Sequence, residues 1–191
     1  FSWGFLRSSF DGAINSILNN ANLIKKTYFP REILPISNII TNLFTFAVSL
    51  LILSIFGLFF KVSLFPAIFW LPLIIFVQLI LIVGAALFLA SLNTIYRDTQ
   101  FILDIFLLVW FYVTPIVYTP DMAKSILPKG LFILYSLNPM LGISSSYQKV
   151  FVYGRIPDIT LLFNAALISS LIFIFGWFYF SKSEDVFVDL I

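Results

Sequence analysis

Three stretches of this chain carry no charged side chain and consist almost wholly of apolar ones: Ile33–Phe60, Val62–Tyr96 and Ile159–Ser181. Each exceeds the ~20 residues that a helix needs to cross a hydrocarbon core. Inside hydrocarbon a backbone must satisfy its own polar groups, so runs of this length read as membrane-spanning helices. Composition agrees, with 61% hydrophobic and only 10% charged residues and a mean hydropathy of +1.05. The expected class is an all-α membrane protein.

The same inventory removes several kinds of chemistry. Cysteine and histidine are both absent, which excludes disulfides, thiolate or imidazole metal sites, and any triad or dyad that needs either residue. No metal site is expected. No GxxxxGK[ST] phosphate loop occurs, so the chain is not expected to bind ATP or another cofactor by itself. The net charge is +2 and no basic run is long enough to suggest nucleic acid. The chain begins at Phe1 without the charged flank or cleavage site of a signal peptide, and reads as a fragment or as numbered from an internal position.

Residues 1–24 contain Arg7 and Asp11, which are costly at a bilayer centre. Ser8, Asp11, Asn15, Asn19 and Asn22 recur every three or four residues, so one helix would gather them on a stripe apart from Phe10, Ile14, Ile17, Ala21 and Ile24. An amphipathic span is expected. Its polar stripe either faces a hydrated pathway, or bonds to a neighbouring span, or lies in the interface plane. Residues 25–35 follow as a polar knuckle in which Lys25, Lys26, Arg31 and Glu32 crowd together, while Pro30 and Pro35 favour a turn, a short helix and another turn. The knuckle is either an ordinary cytoplasmic loop or a docking element.

Further spans are expected at 36–60 and 66–93, the second with Pro66 and Pro72 near its start and Gly84, Ala86 and Ala90 as small surfaces for packing. Asp98 is the expected N-cap of a helix over 99–118, Asp104 reads as structural near its positive end, and Pro115 and Pro120 close it. Residues 119–157 are too interrupted for a straight span, with Gly130, Gly142, Gly154 and the pair Asn138–Pro139. They suggest two short helices joined at Asn–Pro, forming either a broken re-entrant outer hairpin or an amphipathic pair on the membrane surface. A last span at 158–181 and a tail at 182–191 that ends in water complete a bundle of five spans. Cationic residues divide evenly between the two sides, so charge alone does not orient it.

The run Asn22–Ser37, then Tyr96-Arg97-Asp98, Thr114-Pro115 with Tyr118, Leu137-Asn138-Pro139, and Tyr153-Gly154 with Pro157 resemble the type-2 ABC exporter permeases. Within them the chain is most similar to the polysaccharide and polyol-phosphate export branch, which moves O-antigen, capsule or teichoic acid precursors. The resemblance covers essentially the whole chain. It implies six spans per subunit, a homodimer with the pathway between subunits, and a separate ATP-binding cassette ATPase that handles ATP and magnesium. By that comparison the chain lacks an N-terminal helix and a first span.

The resemblance further implies that Lys25, Lys26, Tyr28, Phe29, Pro30, Arg31 and Glu32 form the cytoplasmic ATPase-coupling segment. Residues 119–157 would be the outer gate, with Pro115, Pro120, Asn138, Pro139 and Gly154 as its turning points. Ser8, Asp11, Asn15, Asn19 and Asn22, with Trp110 and Tyr112, are the candidate pathway residues, since amides and amphipathic rings suit the hydroxyl and C–H faces of a lipid-linked glycan. The expected setting is a bacterial or archaeal plasma membrane. A small-molecule exporter of the same superfamily is the alternative. A secondary transporter would normally show ionisable residues deep in its spans, and an enzyme an acid–base or metal constellation; neither class fits this inventory well.

Overall fold

The computed structural model describes residues 1–27, 29–60, 65–118, 122–123 and 128–187. Tyr28 and Pro120, expected at the coupling segment and outer gate, lie outside these residues. Among the described residues every regular element is helical: α1 Ser2–Ile14, α2 Ser16–Asn19, α3 Ala21–Lys26, α4 Ile33–Phe59, α5 Leu71–Ile95, α6 Thr99–Val113, α7 Lys129–Ser136, α8 Pro139–Phe151 and α9 Ile159–Ser183. The all-α membrane class is borne out. Three stretches, Ile33–Gly57, Ala67–Ile95 and Ile159–Val186, are long and apolar enough to cross a membrane. Phe44, Ile52 and Phe56 of α4 and Phe163, Ile174 and Phe178 of α9 point outward and exposed. Apolar faces this extensive are costly in water and cost nothing against lipid tails. The chain is a multi-pass membrane protein.

α5 and α9 form the most extensive helix pair. Their backbones touch where Gly84 meets Gly176: a Cβ on Gly176 would stand 1.9 Å from the Gly84 carbonyl oxygen, and one on Gly84 would stand 2.3 Å from Phe173 Cα. Two glycines let the helices approach at a distance no side chain permits. α5 follows a 3₁₀ turn, Ala67–Trp70, and carries Pro72 in its first turn, where a missing N–H leaves no bond unmade. Pro35 sits likewise near the start of α4.

α1 packs between α4, α5 and α6. Phe5, Leu6, Phe10, Ala13 and Ile14 are buried, and cross-contacts fix its register against three neighbours. Gln78 Nε2 donates to Ser2 O at 2.8 Å and Asn93 Nδ2 to Ile14 O at 3.1 Å, so α1 runs parallel to α5. Phe5 stacks on Phe46, and Asn42 Nδ2 donates to Ser8 O at 3.2 Å, so α4 runs antiparallel on one flank. Trp3 meets Trp110 edge-on, while Arg7 reaches Asp104, so α6 runs antiparallel on the other.

Of the five expected spans, those at 36–60, 66–93 and 158–181 correspond to α4, α5 and α9. The amphipathic span expected over 1–24 is three short helices instead, interrupted at Asn15 and Asn20. Ser16 Oγ donates to Ala13 O at 2.7 Å and Asn20 Nδ2 to Ser16 O at 2.8 Å. Such side-chain bonds to the backbone compete with the helical ladder and explain the breaks. The helix expected over 99–118 stops at Val113, because Thr114 is extended ahead of Pro115. Its 15 residues span roughly 22 Å at the helical rise. Asp98 occupies the N-cap position without a side-chain capping bond; Thr99 Oγ1, donating to Tyr96 O at 2.6 Å, closes that turn.

Candidate functional site

The polar residues expected on one stripe are divided by the breaks in the helix. Ser8, Asp11, Asn19 and Asn22 are exposed and Asn15 is half-buried, with Asn19 and Asn22 placed beyond the first break, toward the coupling segment. Asp11 joins an ion cluster: Arg7 Nε lies 3.7 Å from Asp11 Oδ2 and Arg7 Nη2 3.3 Å from Asp104 Oδ1. Asp104, which the sequence suggested was a structural carboxylate near an interface, is therefore a partner of α1. Asn15 Nδ2 donates to Gln100 Oε1 at 2.9 Å, while its Oδ1 accepts from Asn93 Nδ2 at 3.1 Å. Asn15 thus ties α1 to both α5 and α6.

The other flank was missed from sequence. On α4, Ser37, Thr41, Thr45 and Ser49 recur every fourth residue, and Thr41, Thr45 and Ser49 donate to the carbonyls of Ser37, Thr41 and Thr45. Asn38 and Asn42 do the same one position on. Each hydroxyl spends its proton on its own helix and leaves oxygen lone pairs outward. A cavity of about 140 Å³ opens between α1 and α4, walled by Ser8, Asn42, Thr45 and Ser49 beside the Phe5 and Phe46 rings, which stack at 4.8 Å. The spacing was present in the sequence, but it lay inside a span read as uniformly apolar. α4, α1 and α6 together make one polar face with α1 as its floor.

The segment expected to couple to an ATPase, residues 25–35, joins the end of α3 to the start of α4. Lys25 and Lys26 end α3, where cations suit the negative helix end. Thr27 is extended, and Ile33 N donating to Pro30 O at 3.3 Å with Leu34 N donating to Arg31 O at 3.1 Å forms the turn into α4. Phe29 packs on a second apolar cluster containing Ile17, Ile24, Leu87, Ala90, Phe180 and Phe187. Arg31 and Glu32 share a cleft of about 220 Å³ with Glu184 and Asp185, while Pro30 is exposed at its rim. Of the tail expected at 182–191, the described part reaches Phe187, which is fully buried in the same cluster that Phe29 packs on; its last residues, expected to end in water, lie outside the described residues.

At the opposite end, the two short helices expected around Asn138–Pro139 are α7 and α8. Asn138 Oδ1 caps α8 by accepting from Met140 N at 3.0 Å, accepts also from Trp110 Nε1 at 2.9 Å, and its amide donates to Thr114 Oγ1 at 3.1 Å. Trp110 therefore joins α6 to the hairpin of α7 and α8, while Tyr112 is 70% exposed. Pro115 is buried and its carbonyl accepts from Gln148 Nε2 at 2.9 Å. Gly154 takes φ 58, the left-handed turn that favours glycine, between the Lys149–Asp158 partners, paired at 2.5 Å. Tyr135 Oη donates to Tyr118 Oη at 3.1 Å, and burial with this bond raises the Tyr135 phenol above its ordinary range, so it stays a donor.

No family model matches the chain. Among curated proteins it is 29% identical over 87% of its length to the O-antigen export system permease protein RfbA of Myxococcus xanthus. It is 27% identical over its full length to the protein of the same name from Klebsiella pneumoniae, and 29% identical over 81% to another from that organism. The chain is similar to O-antigen export permeases. This is the branch that the motifs from Asn22 to Pro157 resemble. The matches span 64%, 72% and 58% of those proteins' own lengths, so the chain corresponds to about two thirds of them. By name those proteins are permeases of export systems.

Proposed function

We propose that this chain is the membrane-spanning permease subunit of an ATP-driven ABC exporter that moves a lipid-linked polysaccharide or polyol phosphate across the plasma membrane. Similarity to O-antigen export permeases along the whole chain is the observation that carries the reading and favours it over a small-molecule exporter. A separate ATPase would seat on the exposed side of Lys25, Lys26, Pro30, Arg31 and Glu32, and a second copy would close the pathway across α1, α4 and α6. In this reading Ser8, Asp11 and Asn15, joined by Asn42, Thr45 and Ser49, meet the cargo with uncharged donors and acceptors for the most part. Phe29 transmits motion because it links the segment to the buried ends of α5 and α9. The α7–α8 hairpin, held by Asn138, closes the outer side.

The test is reconstitution of the full-length permease with an ABC-type ATPase subunit from the same cell in lipid vesicles. ATP-dependent transfer of a lipid-linked glycan to the opposite leaflet, read by access of a glycan-cleaving enzyme, is expected. Transfer that proceeds equally without ATP, or none at all, would overturn the reading.

A further inference from the structure

Resting on that export reading, we infer that the polar face selects uncharged glycans and rejects polyol phosphates, because the cation on it, Arg7, is held between two carboxylates. Arg7 lies between the levels of Ser2, which meets Gln78, and Ile14, which meets Asn93. It is therefore within the depth of α5 and away from either end. Its guanidinium contacts Asp11 on the same helix and Asp104 across on α6. Among the described residues, the rest of the face is neutral: Ser8 and Asn15 on α1, Gln100 on α6, and Ser37, Asn38, Thr41, Asn42, Thr45 and Ser49 on α4.

One cation set against two anions leaves this level of the face with a net negative charge. Two of the Arg7 nitrogens, Nη2 toward Asp104 and Nε toward Asp11, face carboxylate oxygens instead of a phosphate. A polyol phosphate presents one anionic phosphodiester per repeat and would meet like charge in a setting of reduced dielectric, where repulsion is stronger than in water. Sugar hydroxyls meet the opposite situation. The amides and hydroxyls of α1 and α4 exchange bonds with them at little cost, and the stacked Phe5 and Phe46 supply apolar surface beside the cavity. Rejection of the anionic cargo by misplaced charge, added to modest attraction for the neutral one, is how a pathway can discriminate without gripping.

The experiment uses the full-length permease with its ATPase in vesicles, and compares ATP-dependent transfer of a lipid-linked neutral hexose polymer with that of a lipid-linked poly(glycerol phosphate). The neutral polymer is expected to move roughly tenfold faster or more, the size expected of repulsion by one like charge at a half-exposed site. Asp11→Asn with Asp104→Asn frees Arg7 and reverses the local charge, and should shrink that ratio several-fold. Asn42→Asp, which adds a carboxylate beside Ser8, should enlarge it; this second variant reads the effect in the opposite direction should the first fold poorly. Equal rates for the two polymers in the wild type, or a ratio that neither variant shifts, would sink charge selection while leaving export intact. Movement of neither polymer by the assembled complex would overturn the export reading and this inference with it.

Discussion

The indole N–H of Trp110 donates to Asn138 Oδ1 at 2.9 Å, and that same oxygen caps α8. The end of α6 and the start of α8 are thus joined through one amide. Asn138→Ala removes the cap and both tertiary bonds, and should lower stability by about 2–3 kcal/mol. Trp110→Phe keeps the cap and should cost about 1 kcal/mol. Thermal unfolding in detergent, with limited proteolysis of the hairpin, will rank them; equal losses would show that the indole bond carries the joint.

The Gly84–Gly176 contact predicts a sharp contrast between glycines. Gly176→Ala places a methyl 1.9 Å from the Gly84 carbonyl oxygen, whereas a Cβ at Gly4 meets nothing within 4 Å. The first forces α5 and α9 apart and should cost 3 kcal/mol or more, roughly the upper range for overpacking. Gly4→Ala should be neutral or gain about 0.5–1 kcal/mol through helix propensity. Yield of monodisperse protein from membranes is the simple readout, and a well-behaved Gly176→Ala protein would refute the close crossing.

Asn15 tests whether the polar face is structural or also functional. Asn15→Leu takes one acceptor from Asn93 and one donor from Gln100, and should destabilise by about 1–2 kcal/mol. Export should fall further than the folded amount does. A cysteine at Ser8 or Thr45 should react with a water-soluble thiol reagent during transport; protection of both throughout the cycle would place this face against protein or lipid.

Coupling should depend on Phe29 and on its seat in the tail. Phe29→Ala and Phe187→Ala both thin the cluster around Ile24 and Phe180, and each should reduce cargo-stimulated ATP turnover several-fold while the permease remains in the membrane. Charge reversal at Arg31 should do so as well, since it sets three carboxylates, Glu32, Glu184 and Asp185, against a fourth. Unchanged turnover in all three variants would reduce the segment to a connecting loop.

The purified chain without a partner should neither bind nor hydrolyse ATP, because it contains no phosphate loop. A coupled phosphate-release assay suffices, and magnesium-dependent turnover above background would contradict it.

The class and the likeness to export permeases were legible in the amino-acid sequence because both rest on local properties. Charge-free runs of sufficient length fix membrane helices through the cost of unpaired backbone in hydrocarbon, and the order of short polar motifs between them carried the resemblance. The turn at Asn138–Pro139 was legible for the same reason: proline and an amide cap act within a few residues. What tertiary structure decided is pairing. Asp104 could be placed on its helix from sequence, but not opposite Arg7, since that contact joins residues 97 positions apart. The breaks at Asn15 and Asn20 depend on side chains choosing backbone carbonyls over the helical ladder, a choice that periodicity does not reveal. The hydroxyl row on α4 was visible as spacing, yet it acquired meaning only when α1 packed beside it and turned Ser8 and Asn42 to one cavity. Burial of Phe187 likewise needed α9 to return beside Ile24 and Phe29. Chain-local energies chose the helices; the fit of distant faces chose which polar groups work together.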